Sequence, residues 1–548
     1  MKKKKVIVFL AMISVLLGCG GISSCKDATT YQSESSKIEE SKESDAGEVG
    51  SFQYVQTSST TAILTGYQGD ALSGEVDIPA QIGGLIVDRI SSDLFKGTGG
   101  NITSISIPAT VSYIDASAFI NLHNLSEIEF QAGSNLKDIG SKAFANCNEL
   151  QSFTIPSSVS FLASDAFLGC KKLSGFIVEE GNTFFSAVEG VLFNKAGTTL
   201  LYYPEGKTEV SYLVPASVQS ISGSAFAKNV NIENVNLNNV VKVEEYAFGN
   251  CDKISAITAP KLDFVEVGAF ENTAWLSNQT RDFVELGNVL ISYQGDATEL
   301  VIEDYVSIAP YAFADNESLT KVIVSENLLN IGESAFANCV KLDKVYLLNN
   351  SKIIYVSDSS FDGNAEGRKI YVPYPMIEVY LGNKLWQQYE DDIIVPETEI
   401  IYESNGGSVC VDGVVYYQDY LNLPTTERKG YNFTGWYADS SCTGVAYNEQ
   451  TRWNSLEETS TFYAGWSAQT YSIVYITNFT EKGVVLDSYT GSYTIEQDVV
   501  YDIPEKEGYT FAGWYEDYAL TQSAGNGFEK GNIGNKTLYA KWIKDEVV

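Results

Sequence analysis

The sequence predicts a solenoid of stacked parallel strands followed by two small β-rich modules, and three observations predict it. A Phe-centred phrase, written "IGSKAFANCNELQSFTIPSSV" at residues 139–159, recurs about every 23 residues. Beyond Pro396 that period stops. A second phrase then occurs twice, as "GYNFTGWYAD" at 430–439 and "GYTFAGWYED" at 508–517, 78 residues on. One short unit cannot bury its own apolar face, so a fixed period of this length means that units stack and share a core.

Ahead of the repeat lies an export signal. Lys2 to Lys5 precede the apolar run "VIVFLAMISVLL", which is too short to span a bilayer as a mature helix. The run ends in Leu16-Leu17-Gly18-Cys19, which resembles a bacterial lipobox. That resemblance implies a signal peptide at 1–18, cleavage before Cys19 and diacylation of its thiol. The plainer alternatives are an ordinary signal peptide with an incidental cysteine or an uncleaved anchor; small Gly18 in this context favours lipidation. Residues 19–50 then read as anchor and tether. Their Ser, Glu and Lys content, with almost nothing apolar, predicts a disordered coil reaching about 25–30 Å. Cys25 carries no pattern of its own.

Charge and composition narrow the function. The 548-residue chain carries 36 basic and 70 acidic side chains, a net charge of −34. Losing residues 1–18 removes four lysines and no acids, which takes the charge from −34 to −38. A surface this acidic repels phosphate backbones, so nucleic acid is not expected as a partner. His123 is the one histidine, which nearly closes off triads and histidine metal sites. In "NLHNL" it reads as a loop residue. There is no phosphate loop, nucleophile elbow or histidine metal motif. A glycosidase-type carboxylate pair is not excluded by counting, but the acids are scattered over the repeat. The expectation is a non-enzyme with no cofactor and no metal.

The solenoid is expected over 51–396. Its Phe falls at Phe95, Phe119, Phe144, Phe167, Phe226, Phe248, Phe270, Phe313, Phe336 and Phe361, mostly 22 to 25 apart, with two longer gaps of 59 and 43. Ala precedes it in all but the first and last units, where Leu94 and Ser360 stand. Each repeated position then forms a ladder down the stack, Phe filling the wide corner of every coil. Three residues later come Thr98, Leu122, Cys147, Cys170, Asn229, Cys251, Thr273, Asn316, Cys339 and Asn364. A metal ribbon needs ligands converging at short spacing, whereas this column accepts Leu, Thr and Asn. It therefore reads as a slot for small buried side chains, tolerant enough that Asn229→Ala should cost far less than Phe248→Ala. In "LQSFTI" the inward residues are Leu150, Phe153 and Ile155, and Pro156 closes the strand, as Pro108, Pro215 and Pro260 close others. Ten such units stack over about 50 Å, more with insertions.

The phrase resembles the BspA-like leucine-rich repeats, whose units run Ile-Pro, Val-x-x-Ile and Ala-Phe-x-x-Cys-x-x-Leu. The resemblance implies a leucine-rich repeat solenoid, a parallel strand stack with short helical or irregular turns. It extends to the opening "TAILTGYQGD", which looks like an N-terminal strand pair, and to insertions at 184–206 and 273–296. It also covers 369–393, a closing unit whose Tyr and Trp would cover the end of the core. It further implies a bacterial surface protein that binds host or bacterial ligands.

After it come modules expected at 397–467 and 468–548. "FYAGW" at 462–466 recurs as "LYAKW" at 538–542, and each module opens on an alternating strand. The pattern resembles the Listeria–Bacteroides repeat, related to the B repeat of internalin B. In that reading Tyr431, Phe433, Trp436 and Trp466, and Tyr509, Phe511, Trp514 and Trp542, form two aromatic cores. Aromatic stripes also bind sugars, but modules this small need their large rings for burial. Cys410 and Cys442 share the first module. Export permits a disulfide between them, the second module has none, and the sequence leaves their pairing open.

The function read from all this is an exported, membrane-anchored surface lipoprotein, an adhesin or binding module for an extracellular protein or glycan. A structural or glycan-capturing envelope protein is the alternative. A binding surface is expected in the outward column of the strands, Ser106, Glu129, Thr154, Ile177, Asn236, Thr258, Ile323 and Tyr346. Only Glu129 in it is charged. β-propensity alone also explains Thr, Ile and Tyr there, and it is the plainer account.

Overall fold

The computed structural model describes residues 46–545 apart from 50, 51, 69, 71, 93, 98 and 99. Cys19, Cys25, Thr98 and the tether up to residue 45 lie outside the described residues. Ala46–Val49 forms a strand antiparallel to Phe52–Gln56, adding an edge to the first sheet.

A representative coil shows how the phrase folds. Leu150 turns inward, and the strand Ser152–Ile155 buries Phe153 and Ile155. A turn through Pro156 follows, and Val159 N–H donates to the Pro156 carbonyl. Then comes a second strand that sequence reading did not separate, only two residues long, Phe161–Leu162. The Ala-Phe turn closes the coil. Its backbone pairs with the next coil too, Phe144 N–H donating to the Ala166 carbonyl at 2.9 Å. Three ladders therefore run down the stack, and they satisfy the backbone groups that stacking buries.

The Ala-Phe turn needs left-handed residues on both sides of the Phe. Lys142 and Asn146 flank Phe144 with φ of 57° and 62°, and Tyr246 and Asn250 flank Phe248 with φ of 52° and 60°. Asn tolerates that region best among residues with a side chain. This accounts for the recurring Asn before Cys in "FANC" and "FGNC". These asparagines also bond to one another, Asn146 Nδ2 donating to Asn121 Oδ1 at 2.8 Å and Asn272 Nδ2 to Asn250 Oδ1 at 3.0 Å.

The two long gaps in the period divide the solenoid into three stacks, each with its own apolar core. Every stack opens on an antiparallel hairpin whose last strand joins the parallel ladder. The hairpins are Phe52–Gln56 with Thr61–Tyr67, Val191–Asn194 with Thr199–Tyr202, and Phe283–Leu286 with Val289–Tyr293. Each supplies a tyrosine in place of the missing Phe. Tyr67 lies 6.4 Å from Phe95, Tyr203 stacks on Phe226 at 4.8 Å, and Tyr293 on Phe313 at 5.2 Å. Between them the Phe column runs as a ring stack, for example Phe144 to Phe167 at 5.3 Å and 5°.

The closing unit does what the sequence implied. Trp386, Tyr380 and Tyr389 are buried over the last coil, and Trp386 Nε1–H donates to the Ile354 carbonyl at 2.8 Å. The first module follows directly. Its strand Glu397–Glu403 lies between Gly413–Tyr416 and Thr459–Ala468, with Tyr431–Tyr437 on the far edge. The second repeats the order with Thr470–Phe479, Val485–Thr494, Lys536–Lys544 and Tyr509–Tyr515. The expected aromatic cores are partly corrected. Trp436 and Trp514 fill the cores, while Phe433 and Tyr509 are exposed and Tyr431, Phe511, Trp466 and Trp542 only half-buried. The remaining core volume comes from residues such as Trp453 and Phe462, and Tyr475 and Tyr501. Among the described residues no helix is long and apolar enough to cross a membrane.

Candidate ligand-binding strand face

Parallel pairing puts equivalent residues of successive coils side by side, so the outward column can be read from the register. Ser106 pairs with Glu129, Thr154 with Ile177, Asn236 with Thr258, and Ile323 with Tyr346. Each pair belongs to one column within its sheet, as the period implied. The sheets break at the two stack boundaries and once within the first stack, between Glu127–Phe130 and Ser152–Ile155, so the column consists of four short runs rather than one ribbon.

The register extends the column to residues sequence reading missed. Leu213 precedes Asn236, and Val301 precedes Ile323. Both belong to coils opened by an insertion, where counting from the Phe fails. The strand alternation in "SYLVP" and "ELVIED" was the available signal. Together with Ile177 they are the most open apolar members, 56% exposed at Ile177, 62% at Leu213 and 55% at Val301. Glu129, Asn236 and Thr258 are exposed; Ser106, Thr154 and Ile323 are half-buried.

Tyr346 departs from the expectation. It is only 8% exposed, its ring stacked on Tyr371 of the closing unit at 4.2 Å and 6°. Lys321 lies over the ring at 5.9 Å. Burial pushes its phenol up to about 12, with Tyr371 and the charge of Glu458 adding to the effect. The closing unit supplies one more strand there than the Phe period counts, and Tyr371 covers the ring that would otherwise face solvent. Two residues before this column, Glu299, Lys321, Lys344 and Lys369 pair in register. Lys321 Nζ binds Glu299 at 3.2 Å. The third stack is therefore more basic on this face than the rest of an acidic chain.

The cysteine column does structural work. The Cys147, Cys170, Cys251 and Cys339 thiols are buried and donate to the carbonyl of the preceding coil's Phe, at 3.4, 3.2, 2.9 and 3.1 Å. Burial raises them all, Cys147 and Cys251 to about 12 and Cys339 to about 11, far from the thiolate that metals and nucleophilic chemistry require. Asn364 keeps the same bond, its Nδ2 donating to the Phe336 carbonyl at 2.7 Å, but at Asn229 and Asn316 the role changes. Asn229 and Asn316 head the coils that follow the insertions, where the preceding coil is a hairpin. Their longer amides reach the carbonyls of Pro204 at 3.2 Å and Gly295 at 3.2 Å. Thr273 instead caps the short helix Ala274–Ser277, its oxygen accepting from Leu276 N–H.

Other singled-out groups resolve as follows. His123 is exposed, its Nδ1 3.0 Å from the Asn146 carbonyl of the next turn. Cys410 and Cys442 are free thiols with separate backbone partners. The indole N–H of Trp436 is held by the Pro424 carbonyl and that of Trp466 by the Ser404 carbonyl. Glu205 is the carboxylate that burial moves furthest, up to about 7, although Gly169 N–H and the charges of Lys228 and Lys171 oppose the shift. It sits at the junction of the first two stacks.

Comparison with known proteins matches these elements to two families. The model of the BspA type leucine-rich repeat region matches six copies over residues 88–212, 205–282 and 284–382. The model of the Listeria–Bacteroides repeat domain matches 399–465 and 471–541. Internalin H of Listeria monocytogenes is 26% identical over 280 residues, covering 50% of this chain and 41% of that protein. A protein of Evansella cellulosilytica named as a Gly-rich membrane protein is 35% identical over 150 residues, 27% of this chain and 16% of its own. The chain thus spans less than half the length of these curated relatives. Among solved structures, the pneumococcal vaccine antigen PcpA is 20% identical with a TM-score of 0.34, covering 64% of this chain and 98% of that one.

Proposed function

We propose that this chain, which belongs to the BspA-type leucine-rich repeat family, is a non-catalytic adhesin held at the bacterial surface by a lipid on Cys19. It binds an extracellular protein or glycan through the outward strand column of the solenoid. The observation that carries this reading is the column itself. Ile177, Leu213 and Val301 are each more than half exposed, the first two in register with polar Thr154 and Asn236 and the third with Ile323, on a chain of net charge −34. Strand residues of that size facing water offer a protein or sugar partner contact area without charge repulsion. Contact made this way depends little on ionic strength.

The purified ectodomain is tested for attachment to epithelial and bacterial cells. Ile177→Lys, Leu213→Lys and Val301→Lys together should abolish attachment while circular dichroism is unchanged. Tyr346 is left out because it is buried. Attachment that survives the triple substitution, yet is lost when the two C-terminal modules are deleted, would move the site off the solenoid.

A further inference from the structure

We propose that the cleft between the two C-terminal modules is a binding site for an anionic saccharide, one carrying carboxylate or sulfate groups. The cleft is an open surface groove of about 600 Å³, a shape suited to an extended ligand lying across it. The first module brings Arg428, Lys429 and Tyr431 to it, and the second brings Ile495, Glu496 and Lys530. Three cations face one carboxylate, on a chain where acids outnumber bases 70 to 36. That is a local inversion of charge.

The cations are not consumed by the fold. Arg428 lies over the Tyr431 ring at 3.9 Å, so its planar face is held while its N–H edges point to no carboxylate. Among the described residues no ion pair involves Arg428, Lys429 or Lys530. The single acid is engaged, since Tyr431 Oη donates to Glu496 Oε1 at 3.1 Å across the module boundary. A guanidinium fixed on an aromatic ring loses little freedom when it binds an anion, and its fork suits carboxylate and sulfate oxygens.

The two walls are seated against each other. Gly430, with φ of +81°, lies so close to the second module that a Cβ there would fall 2.5 Å from the Ile495 side chain. Gln469 N–H, between the modules, donates to the Gly430 carbonyl at 2.9 Å. The chain also contains its own comparison. The equivalent turn of the second module is Lys506-Glu507-Gly508-Tyr509, where among the described residues a Cβ on Gly508 would meet nothing within 4 Å. Glu507 stands there in place of Lys429. The second cation of the turn is present where the second module closes the cleft, and an acid stands at the matched position of the second module, where Gly508 is open.

Among the residues lining the cleft Ile495 alone is aliphatic, so its lining favours a polar, charged ligand over the apolar side chains of a peptide. Cations on both walls call for a ligand with several anionic groups spaced along it, as in an acidic polysaccharide.

The test uses the whole ectodomain on immobilised heparin at about 0.15 M salt, with neutral dextran as control. Heparin should retain the protein, dextran should not, and retention should fall as salt rises. Arg428→Ala with Lys429→Glu should weaken binding by about tenfold or more, the loss of two charge-assisted contacts. Lys506→Ala, in the matched turn of the second module and outside the cleft, should leave it unchanged. Tryptophan fluorescence checks that the modules remain folded, and Lys429→Glu alone copies the residue the second module already carries. No retention on heparin, retention indifferent to the double substitution, or competition by poly-glutamate as effective as by heparin would each overturn the proposal.

Discussion

Replacing Asn229 by Ala should destabilise the second stack about as much as replacing a core phenylalanine. Asn229 is fully buried. Its Oδ1 accepts from the N–H groups of Asn231 at 3.0 Å and Ile232 at 2.9 Å. Its Nδ2 donates to the carbonyls of Pro204 at 3.2 Å and Glu205 at 3.4 Å. Alanine leaves two amides and the Glu205 carbonyl without partners where the hairpin meets the first regular coil, since the Pro204 carbonyl keeps Lys207 N–H. Each such group costs about 1–3 kcal/mol, so the total is about 3–5 kcal/mol after partial relief by water. Phe248 lies between Phe226 at 4.6 Å and Phe270 at 5.6 Å, and Phe248→Ala should cost about the same through its cavity. Cys251→Ala, in the same ladder slot as Asn229, removes one sulfur and one weak bond and should cost about 1–2 kcal/mol. Repeat arrays unfold in pieces, so a guanidinium titration is read together with hydrogen exchange of peptides spanning 226–235. An Asn229→Ala loss within about 1 kcal/mol of the Cys251→Ala loss would refute the bridging role and restore the tolerant slot that the sequence suggested.

Two further outcomes are expected. Burial raises the folded-state pKa of Glu205 from 4.5 to about 7, so the unfolded chain ionises first and stability falls as pH climbs through that window. Glu205→Gln, which keeps an acceptor for Gly169 N–H, should remove the slope and be the more stable form at pH 8; an unchanged slope in thermal melts sinks the assignment. Cys19→Ala should release the protein or leave its precursor uncut, and full membrane attachment of a cleaved mutant would dispose of the lipid anchor.

What the sequence made legible follows from where the repeat repeats. The Phe column, the inward strand positions and the Trp386 cap all lie at constant offsets, and the structure keeps them. The division into three stacks was hidden because the opening hairpins carry Tyr67, Tyr203 and Tyr293 where an alignment on Phe finds nothing. Yet "TGYQGD" at 65–70 and "ISYQGD" at 291–296 are nearly the same phrase, and "LYYPEG" at 201–206 is a looser copy. The so-called insertions are restarts. This also explains the ladder: a thiol suffices where the previous coil offers a Phe carbonyl at 2.9–3.4 Å, and an amide is needed where the previous coil is a hairpin. In the modules the difficulty was different. A bulge between Phe433 and Gly435 brings Phe433 within 5.6 Å of Trp436, so the motif looks like one core although only the tryptophan is enclosed. The same holds at Phe511 and Trp514, 5.3 Å apart. The inter-module cleft was out of reach altogether, because Lys429 and Lys530 are about a hundred residues apart and contacts such as the packing of Gly430 against Ile495 and the Tyr431–Glu496 hydrogen bond bring their modules together. Its one trace in the sequence was the difference between "ERKGY" at 427–431 and "EKEGY" at 505–509, a lysine against a glutamate at matched positions. Such a reversal means little until the structure places the second module against the first turn, with Gly430 packed on Ile495.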